Sequence, residues 1–276
     1  ANARDIARGQ LVVVSRDSRG VPLAATYVQS AGALDALYAD AAFDETLGVS
    51  YSGGAPSLAV WAPTALRTPG VSVKIYEADG TLIETVPMTL DPATGVWRVT
   101  GTANWDRKFY TISLRVYSYA AKAMVNNDVT DPYSVSLATD SVRSQFVNLN
   151  DSDLKPAGWD DLQKPALAAP EDITVYELHV RDFSVDDSSV PAGDRGKFTA
   201  FDIPGTAGRA HLQQLAQAGL SHVHVLPAFD IATVRENPAD RVDLEALRVQ
   251  ARLDSLTALV RLAQDRPAEA RRWALQ

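Results

Sequence analysis

Short segments in which apolar and polar side chains alternate fill residues 49 to about 150. This two-residue period places one face of a strand on a core and the other face in solvent. The clearest predicted strands are residues 57–61, 71–76, 96–99 and 109–117, separated by turns that join Pro or Asp to Gly. Short strands at this spacing predict an antiparallel, immunoglobulin-like β-sandwich over residues 49–150.

Residues 1–48 form a lead-in segment with a mixed pattern. The run of β-branched residues within residues 11–14 predicts a strand, and the spacing of Leu34 and Leu37 predicts one or two helical turns over residues 30–37. A segment this short cannot bury a sizeable core alone. We therefore expect the lead-in to pack on the sandwich.

The pattern changes again after a proline-rich stretch, residues 151–170, which is typical of an extended linker. In residues 171–276 strand and helix alternate: the predicted elements are a strand at 173–180, a helix at about 208–218 stopped by Gly219, a strand at 221–226 and a helical tail over 238–276 that breaks near Pro267. A strand, a helix and a strand in this order predict a βαβ unit with parallel strands and a right-handed crossover. The sequence thus predicts a multidomain chain, with α/β architecture after the linker.

Composition excludes several classes of function. Charged residues make up 22% of the chain, and the formal net charge is −8. An acidic chain without a stripe of Lys and Arg is not expected to bind nucleic acid or an anionic membrane surface. Its apolar runs are far shorter than the ~20 residues of a membrane span. The absence of cysteine excludes disulfides and thiol catalysis but leaves the compartment open, with an extracellular or periplasmic location slightly favoured.

The histidines offer a possible metal site. His222 and His224 share one face of a predicted strand, and His179 lies on the neighbouring strand, so the three imidazoles could together ligate zinc. The alternation along the first strand favours a different interpretation. There the apolar side chains share one face and the polar side chains share the other; the apolar set is Tyr176, Leu178 and Val180, and the polar set is Glu177, His179 and Arg181. Polar groups on one face can satisfy one another, so we expect no metal site and no cofactor.

Two further features are candidates for chemistry. The adjacent carboxylates Asp186 and Asp187 suggest acid–base catalysis, but the serines that follow them favour a solvated turn. Trp61 and Trp97 lie within alternating strands and fit a core role. Trp105 lies in a predicted loop and is the candidate substrate-binding residue, because sugars stack on aromatic faces.

Several segments resemble one family, the pullulanases and limit dextrinases among the debranching enzymes of the α-amylase superfamily (glycoside hydrolase family 13). Residues 56–64 (PSLAVWAPT) and 129–133 (VTDPY) resemble the opening strand and the exit segment of its carbohydrate-binding module, family 48. Residues 148–159 resemble the linker that follows the module. Residues 175–184 (VYELHVRDFS) and 219–234 resemble the first two strands of the catalytic barrel and the exit from the second.

The resemblance implies hydrolysis of α-1,6 branch linkages in pullulan, amylopectin or limit dextrins by a retaining mechanism. It also implies that residues 171–276 begin a (β/α)8 barrel, in which the catalytic groups stand at the carboxyl ends of strands. In this family the three catalytic carboxylates come from later strands, whose segments are absent from this sequence. No residue of the chain, Asp182 and Asp230 included, is therefore assigned a catalytic role.

Two function classes remain open. The chain is either the N-terminal portion of a debranching glycosidase, inactive alone, or a non-catalytic module that binds α-glucan. In both cases the expected partner is an α-glucan polysaccharide.

Overall fold

A computed structural model of the protein describes residues 2–28, 31–164, 166–229 and 234–241. The chain divides into two compact units. The first runs from the lead-in to Lys155 and includes Arg235–Arg241, and the second begins at Pro156. This division falls within residues 151–170, while the predicted helical tail beyond residue 241 lies outside the described residues.

The first unit is built mainly from β-strands. In its described residues they are β1 (Val12–Arg16), β2 (Pro22–Tyr27), β3 (Gly48–Ser52), β4 (Ala55–Trp61), β5 (Ser72–Tyr76), β6 (Leu82–Pro87), β7 (Thr89–Leu90), β8 (Val96–Thr100), β9 (Phe109–Ser118), β10 (Ala123–Val129) and β11 (Ser144–Gln145). One sheet has the order β3-β4-β8-β7, and the other has the order β10-β9-β5-β6 with β11 beside β9. All these pairs are antiparallel. This is the strand order of an immunoglobulin-type sandwich.

A single apolar core lies between the two sheets. Alternate residues of β5, Val73 and Ile75, are fully buried, whereas their neighbours Ser72 and Lys74 remain partly exposed. Leu58 and Val60 of β4 make the same contribution from the opposite sheet. The two-residue period therefore places apolar side chains from both sheets against one another, as the sequence predicts.

Several strands carry too weak a pattern to be predicted. β6 is almost wholly exposed, and β10 contains the polar run Asn126–Asp128. Both lie at an edge of their sheet, where one side of the strand faces solvent. Their positions depend on pairing of β6 with β5 and of β10 with β9. The sequence pattern of a single segment carries no information about such pairing.

The lead-in contributes two helices to the first unit, α1 (Ala3–Ile6) and α2 (Ala31–Ala42). Arg4 of α1 donates to the carbonyl oxygens of Leu37 and Pro92, and its guanidinium lies 4.8 Å from the ring centre of Tyr38. Tyr38 is buried and meets the ring of Trp61 edge-on. The helix predicted over residues 30–37 thus extends to Ala42, because Tyr38 gives it a buried anchor on the sandwich.

The second unit contains a parallel pair of strands, β12 (Val175–Leu178) and β13 (His222–Val225). A short helix α3 (Val180–Ser184) and a longer helix α4 (Ala207–Gln217) lie between them in the chain. Gly219 follows α4 with a φ of 105°, the left-handed conformation that ends many helices. The predicted strand 173–180 was too long: β12 ends at Leu178, because His179 caps α3 by accepting a bond from the backbone N–H of Asp182.

A buried polar network lies at one end of the sandwich. The hydroxyl of Tyr110 donates to a carboxylate oxygen of Asp131 at 2.9 Å, and the backbone N–H of Tyr133 donates to the other oxygen at 2.9 Å. The Asp131 backbone N–H donates to the hydroxyl of Ser144. Burial raises the pKa of Asp131 despite these bonds, so the carboxylate depends on its donors.

We predict that Tyr110→Phe destabilises the sandwich by about 1–3 kcal/mol, since it leaves the buried Asp131 without one of its donors. Urea denaturation measures the change. Tyr76→Phe is the matched control, because the Tyr76 hydroxyl is only partly buried and lies 3.3 Å from that of Thr111. Equal losses in the two variants would contradict a special role for the Tyr110–Asp131 bond.

Candidate functional site

Trp105, the predicted sugar platform, lies in a single helical turn between β8 and β9. Its side chain is only 4% exposed. The indole packs on Phe146 at a centroid distance of 5.3 Å, and its N–H donates to a carboxylate oxygen of Glu84 at 2.6 Å. This position favours a packing role for the indole face over a fully open stacking surface. Contact between Trp105 and sugar stays a prediction.

An open cleft of about 570 Å³ lies beside Trp105. It is lined by Ile75, Glu77, Ile83, Glu84, Thr102, Asn104, Trp105 and Lys108. Lys108 and Glu77 form an ion pair at its rim, and Ile83 is nearly half exposed. A cleft of this size is within the range of small-ligand sites.

The chemistry of this cleft suits a neutral, hydroxyl-rich ligand. Glu77 and Glu84 supply carboxylate acceptors, Lys108 supplies donors, and Asn104 supplies both. Ile83 supplies an exposed apolar surface. The carboxylates already have protein partners, the Trp105 N–H and the Lys108 ammonium, so they are held in place before a ligand arrives.

A second groove, of about 380 Å³, crosses the outer face of the larger sheet. Lys74 and Asp128 form an ion pair of 2.7 Å within it, and this hydrogen bond raises the pKa of Lys74 and lowers that of Asp128. Among the described residues that line it, none is aromatic. Of these two clefts, the one beside Trp105 is thus the one with an aromatic side chain in its described lining.

The polar face predicted for the second unit is present in part. In the register of the two parallel strands Glu177 lies opposite His224, and the Glu177 carboxylate is 3.0 Å from the His224 imidazole. His222 shares this face, while Tyr176 and Leu178 lie on the other, as predicted. The prediction for His179, Val180 and Arg181 was wrong, because all three follow the end of β12 and belong to the cap and first turn of α3.

The zinc alternative receives no support from this arrangement. His222 lies beside the hydroxyl of Ser221, and His211 on α4 meets the ring of Tyr176 edge-on at 5.6 Å. Within the described ranges, no group of three or more His, Asp or Glu side chains is placed to hold a metal ion. Asp230 lies outside the described residues.

Asp187 has a structural task in the second unit. One carboxylate oxygen accepts from the Ser189 backbone N–H at 2.9 Å, and the other accepts from the Gly208 N–H in the first turn of α4 at 3.1 Å. Bonds from Ser189 and then Gly208 lower the pKa of Asp187. The adjacent carboxylates thus form a turn that also caps a helix.

These features define a class: an immunoglobulin-type sandwich with a polar cleft, followed in the chain by a parallel α/β unit. Within the parts that the structure describes, no helix is long and apolar enough to cross a membrane. Comparison with known proteins makes the relationship specific. Residues 1–36 match the family model of the Pullulanase N2 domain.

Pullulanases match most of the chain. It is 40% identical to the pullulanase of Klebsiella pneumoniae over 240 residues, which cover 86% of the chain and 22% of the relative. It is 38% identical to the chloroplastic pullulanase 1 of Arabidopsis thaliana over 280 residues, covering 98% of the chain and 28% of the relative. The chain thus matches a portion of these pullulanases and spans about a quarter of their length.

Solved structures agree. A crystal structure of Klebsiella pneumoniae pullulanase with maltotriose matches the chain with a TM-score of 0.81 at 38% identity. The match covers 89% of the chain and 23% of that protein. A pullulanase from Paenibacillus barengoltzii in complex with maltohexaose and α-cyclodextrin matches 75% of the chain with a TM-score of 0.59 at 30% identity, using 30% of that protein. The described fold is therefore that of the matching pullulanase region.

We predict that Gly101→Ala destabilises the sandwich by about 1–3 kcal/mol through overpacking. A Cβ at Gly101 would lie 2.2 Å from the Trp105 ring, so the indole must move. Gly32→Ala in α2 is the control, because a Cβ there meets nothing within 4 Å. Thermal unfolding with tryptophan fluorescence checks both variants. An unchanged Gly101→Ala variant would contradict the tight seating of Trp105.

We predict that Asp187→Ala loosens the start of α4, measured as faster amide exchange at residues 207–210. The pKa of Asp187 is lower in the folded state, so its stabilisation is present above the unfolded pKa and is lost as pH falls through the folded pKa. The difference from wild type should therefore shrink in acid. Asp186→Ala, at the exposed neighbour, is the control, and an equal effect there would contradict the cap.

Proposed function

We propose that the chain is the N-terminal portion of a pullulanase-type glycosidase that hydrolyses α-1,6 linkages in pullulan, amylopectin or limit dextrins. The observation that carries the proposal is the match of 38–40% identity to two pullulanases over at least 86% of the chain. Retaining glycosidases need two carboxyl groups ~5–5.5 Å apart across the scissile bond. The resemblance assigns those groups to segments that this sequence does not contain.

Residues 171–276 are proposed to begin the catalytic (β/α)8 barrel. The parallel pairing of β12 and β13, with α4 between them in the chain, supports this assignment. In such barrels each strand pairs with a neighbour on both sides, and the active site forms at the carboxyl ends. The chain's contribution to catalysis is therefore to supply strands on which that end of the barrel is built.

The sandwich is proposed to act as a family 48-type module that contacts α-glucan through the Trp105 cleft. The apolar Ile83 and the carboxylates held by Trp105 and Lys108 support this use. The alternative function, a glucan-binding module without catalysis, uses the same cleft. The two functions differ in whether the chain supports hydrolysis when it is joined to a catalytic barrel.

A chimera tests the catalytic proposal. The matching segment of Klebsiella pneumoniae pullulanase is replaced by this chain, and release of reducing ends is measured on pullulan and on amylose, which has only α-1,4 linkages. We expect the chimera to hydrolyse pullulan but not amylose. We expect no hydrolysis by the 276-residue chain or by a pullulanase from which the segment has been deleted. An inactive, folded chimera would favour the binding-module alternative, and a pullulanase-like rate from the chain alone would overturn the assignment of catalysis to other segments.

Surface variants test the cleft without disturbing the core. Ile83→Ala and Asn104→Ala should weaken binding of maltohexaose by about 0.5–2 kcal/mol, the scale of a lost contact at a small site. Val13→Ala, at an exposed position outside the cleft, is the control. Titration calorimetry measures the affinity, and unchanged binding in both cleft variants would return Trp105 to a purely structural role.

A further inference from the structure

Three tyrosines form a cluster on the first unit, outside the Trp105 cleft. Tyr27 ends β2, Tyr117 lies near the end of β9, and Tyr119 follows in the turn before β10. The Tyr119 ring meets both neighbours edge-on, with centroids 5.7 Å from Tyr27 and 5.2 Å from Tyr117. This geometry is favourable for aromatic pairs, so the three rings hold one another in place.

Two rings of this tyrosine cluster remain open to solvent. Tyr27 is 47% exposed and Tyr119 is 41% exposed. Val12, which lies opposite Tyr27 in the hairpin register, is also exposed and extends the apolar border of the cluster. Grouped aromatic rings at a surface mark an interaction site more often than scattered apolar residues do.

The third tyrosine adds a polar feature. The Tyr117 hydroxyl oxygen is buried and finds no hydrogen-bond partner among the described residues. Burial, and then the neighbouring phenols of Tyr27 and Tyr119, raise the pKa of Tyr117. A buried polar atom without a partner is destabilising, and it stays out of reach of a ligand while the ring keeps this position. The rings that a ligand can contact are therefore those of Tyr27 and Tyr119.

We propose that the tyrosine cluster is a surface binding site for a linear α-glucan chain. The proposal rests on the proposed function, which supplies the polysaccharide. A glucose ring has a flat C–H face that can stack on Tyr27 or Tyr119, and a rim of hydroxyls that can bond to phenol oxygens. The aliphatic side chains of the hairpin, such as the exposed Leu23, offer no polar group and are not part of the site.

Maltohexaose and the full 276-residue chain test the site. On titration we expect the NMR signals of residues 27, 117 and 119 to shift together. Tyr27→Ala and Tyr119→Ala should each weaken binding at this site about 3- to 10-fold, the effect of losing one aromatic contact. Tyr133→Ala is the control, because Tyr133 is 50% exposed and lies outside the cluster. It should bind like the wild type.

Unshifted cluster signals at saturating maltohexaose would overturn the proposal, as would wild-type affinity in the Tyr27→Ala, Tyr119→Ala double variant. Self-association that disappears in the double variant, without any glucan effect, would also overturn it and assign the cluster to protein contact. None of these outcomes affects the chimera assay on pullulan. Failure of the cluster and failure of the proposed function are therefore separate results.

Discussion

The aromatic contact between β9 and the segment that follows β11 holds the sandwich together. Tyr110 and Phe146 are fully buried and stack with centroids 4.2 Å apart, and Trp105 also packs on Phe146. The Tyr110 hydroxyl meanwhile reaches Asp131 in the exit segment of the sandwich. One aromatic row thus ties the core of both sheets to the end of the module. It also fixes the wall of the cleft, because the Trp105 N–H orients Glu84.

The same row explains why the site differs from the sequence-based expectation. The sequence predicted a loop at Trp105, and the structure has a single helical turn there. The indole nevertheless points inward, because Gly101 leaves room for it and Phe146 covers it. Phe146 lies 41 positions further along the chain, so no local pattern contains this contact. Ile83 and Glu84, which line the cleft, come from the exposed edge strand β6 and were missed for the same reason.

Elsewhere the sequence was more informative. The strands β4, β5, β8 and β9 were predicted because each contributes apolar side chains to the shared core. Edge strands such as β10 were missed, since their positions depend on a partner. In the second unit the order of strand, helix and strand was predicted from the hydrophobic pattern. The two-residue period of the strands also predicted that Glu177 and His224 lie on the same face. The early end of β12 did not, because it depends on the cap that His179 supplies to α3.

The two units differ in how much apolar surface they bury. The sandwich surrounds a continuous core, whereas every residue of β13 is exposed and the described buried residues of the second unit are few. A two-stranded parallel pair leaves one edge of each strand unpaired. The described second unit therefore has less packing to stabilise it than the sandwich has.

Native-state hydrogen exchange across the chain tests this account most directly. Amides of β4, β5 and β9 should exchange only through global unfolding of the sandwich, while those of β12 and β13 should exchange through local opening at clearly lower free energy. Equal protection in the two units would contradict the account, because it would mean that the parallel pair is already a finished, self-sufficient core.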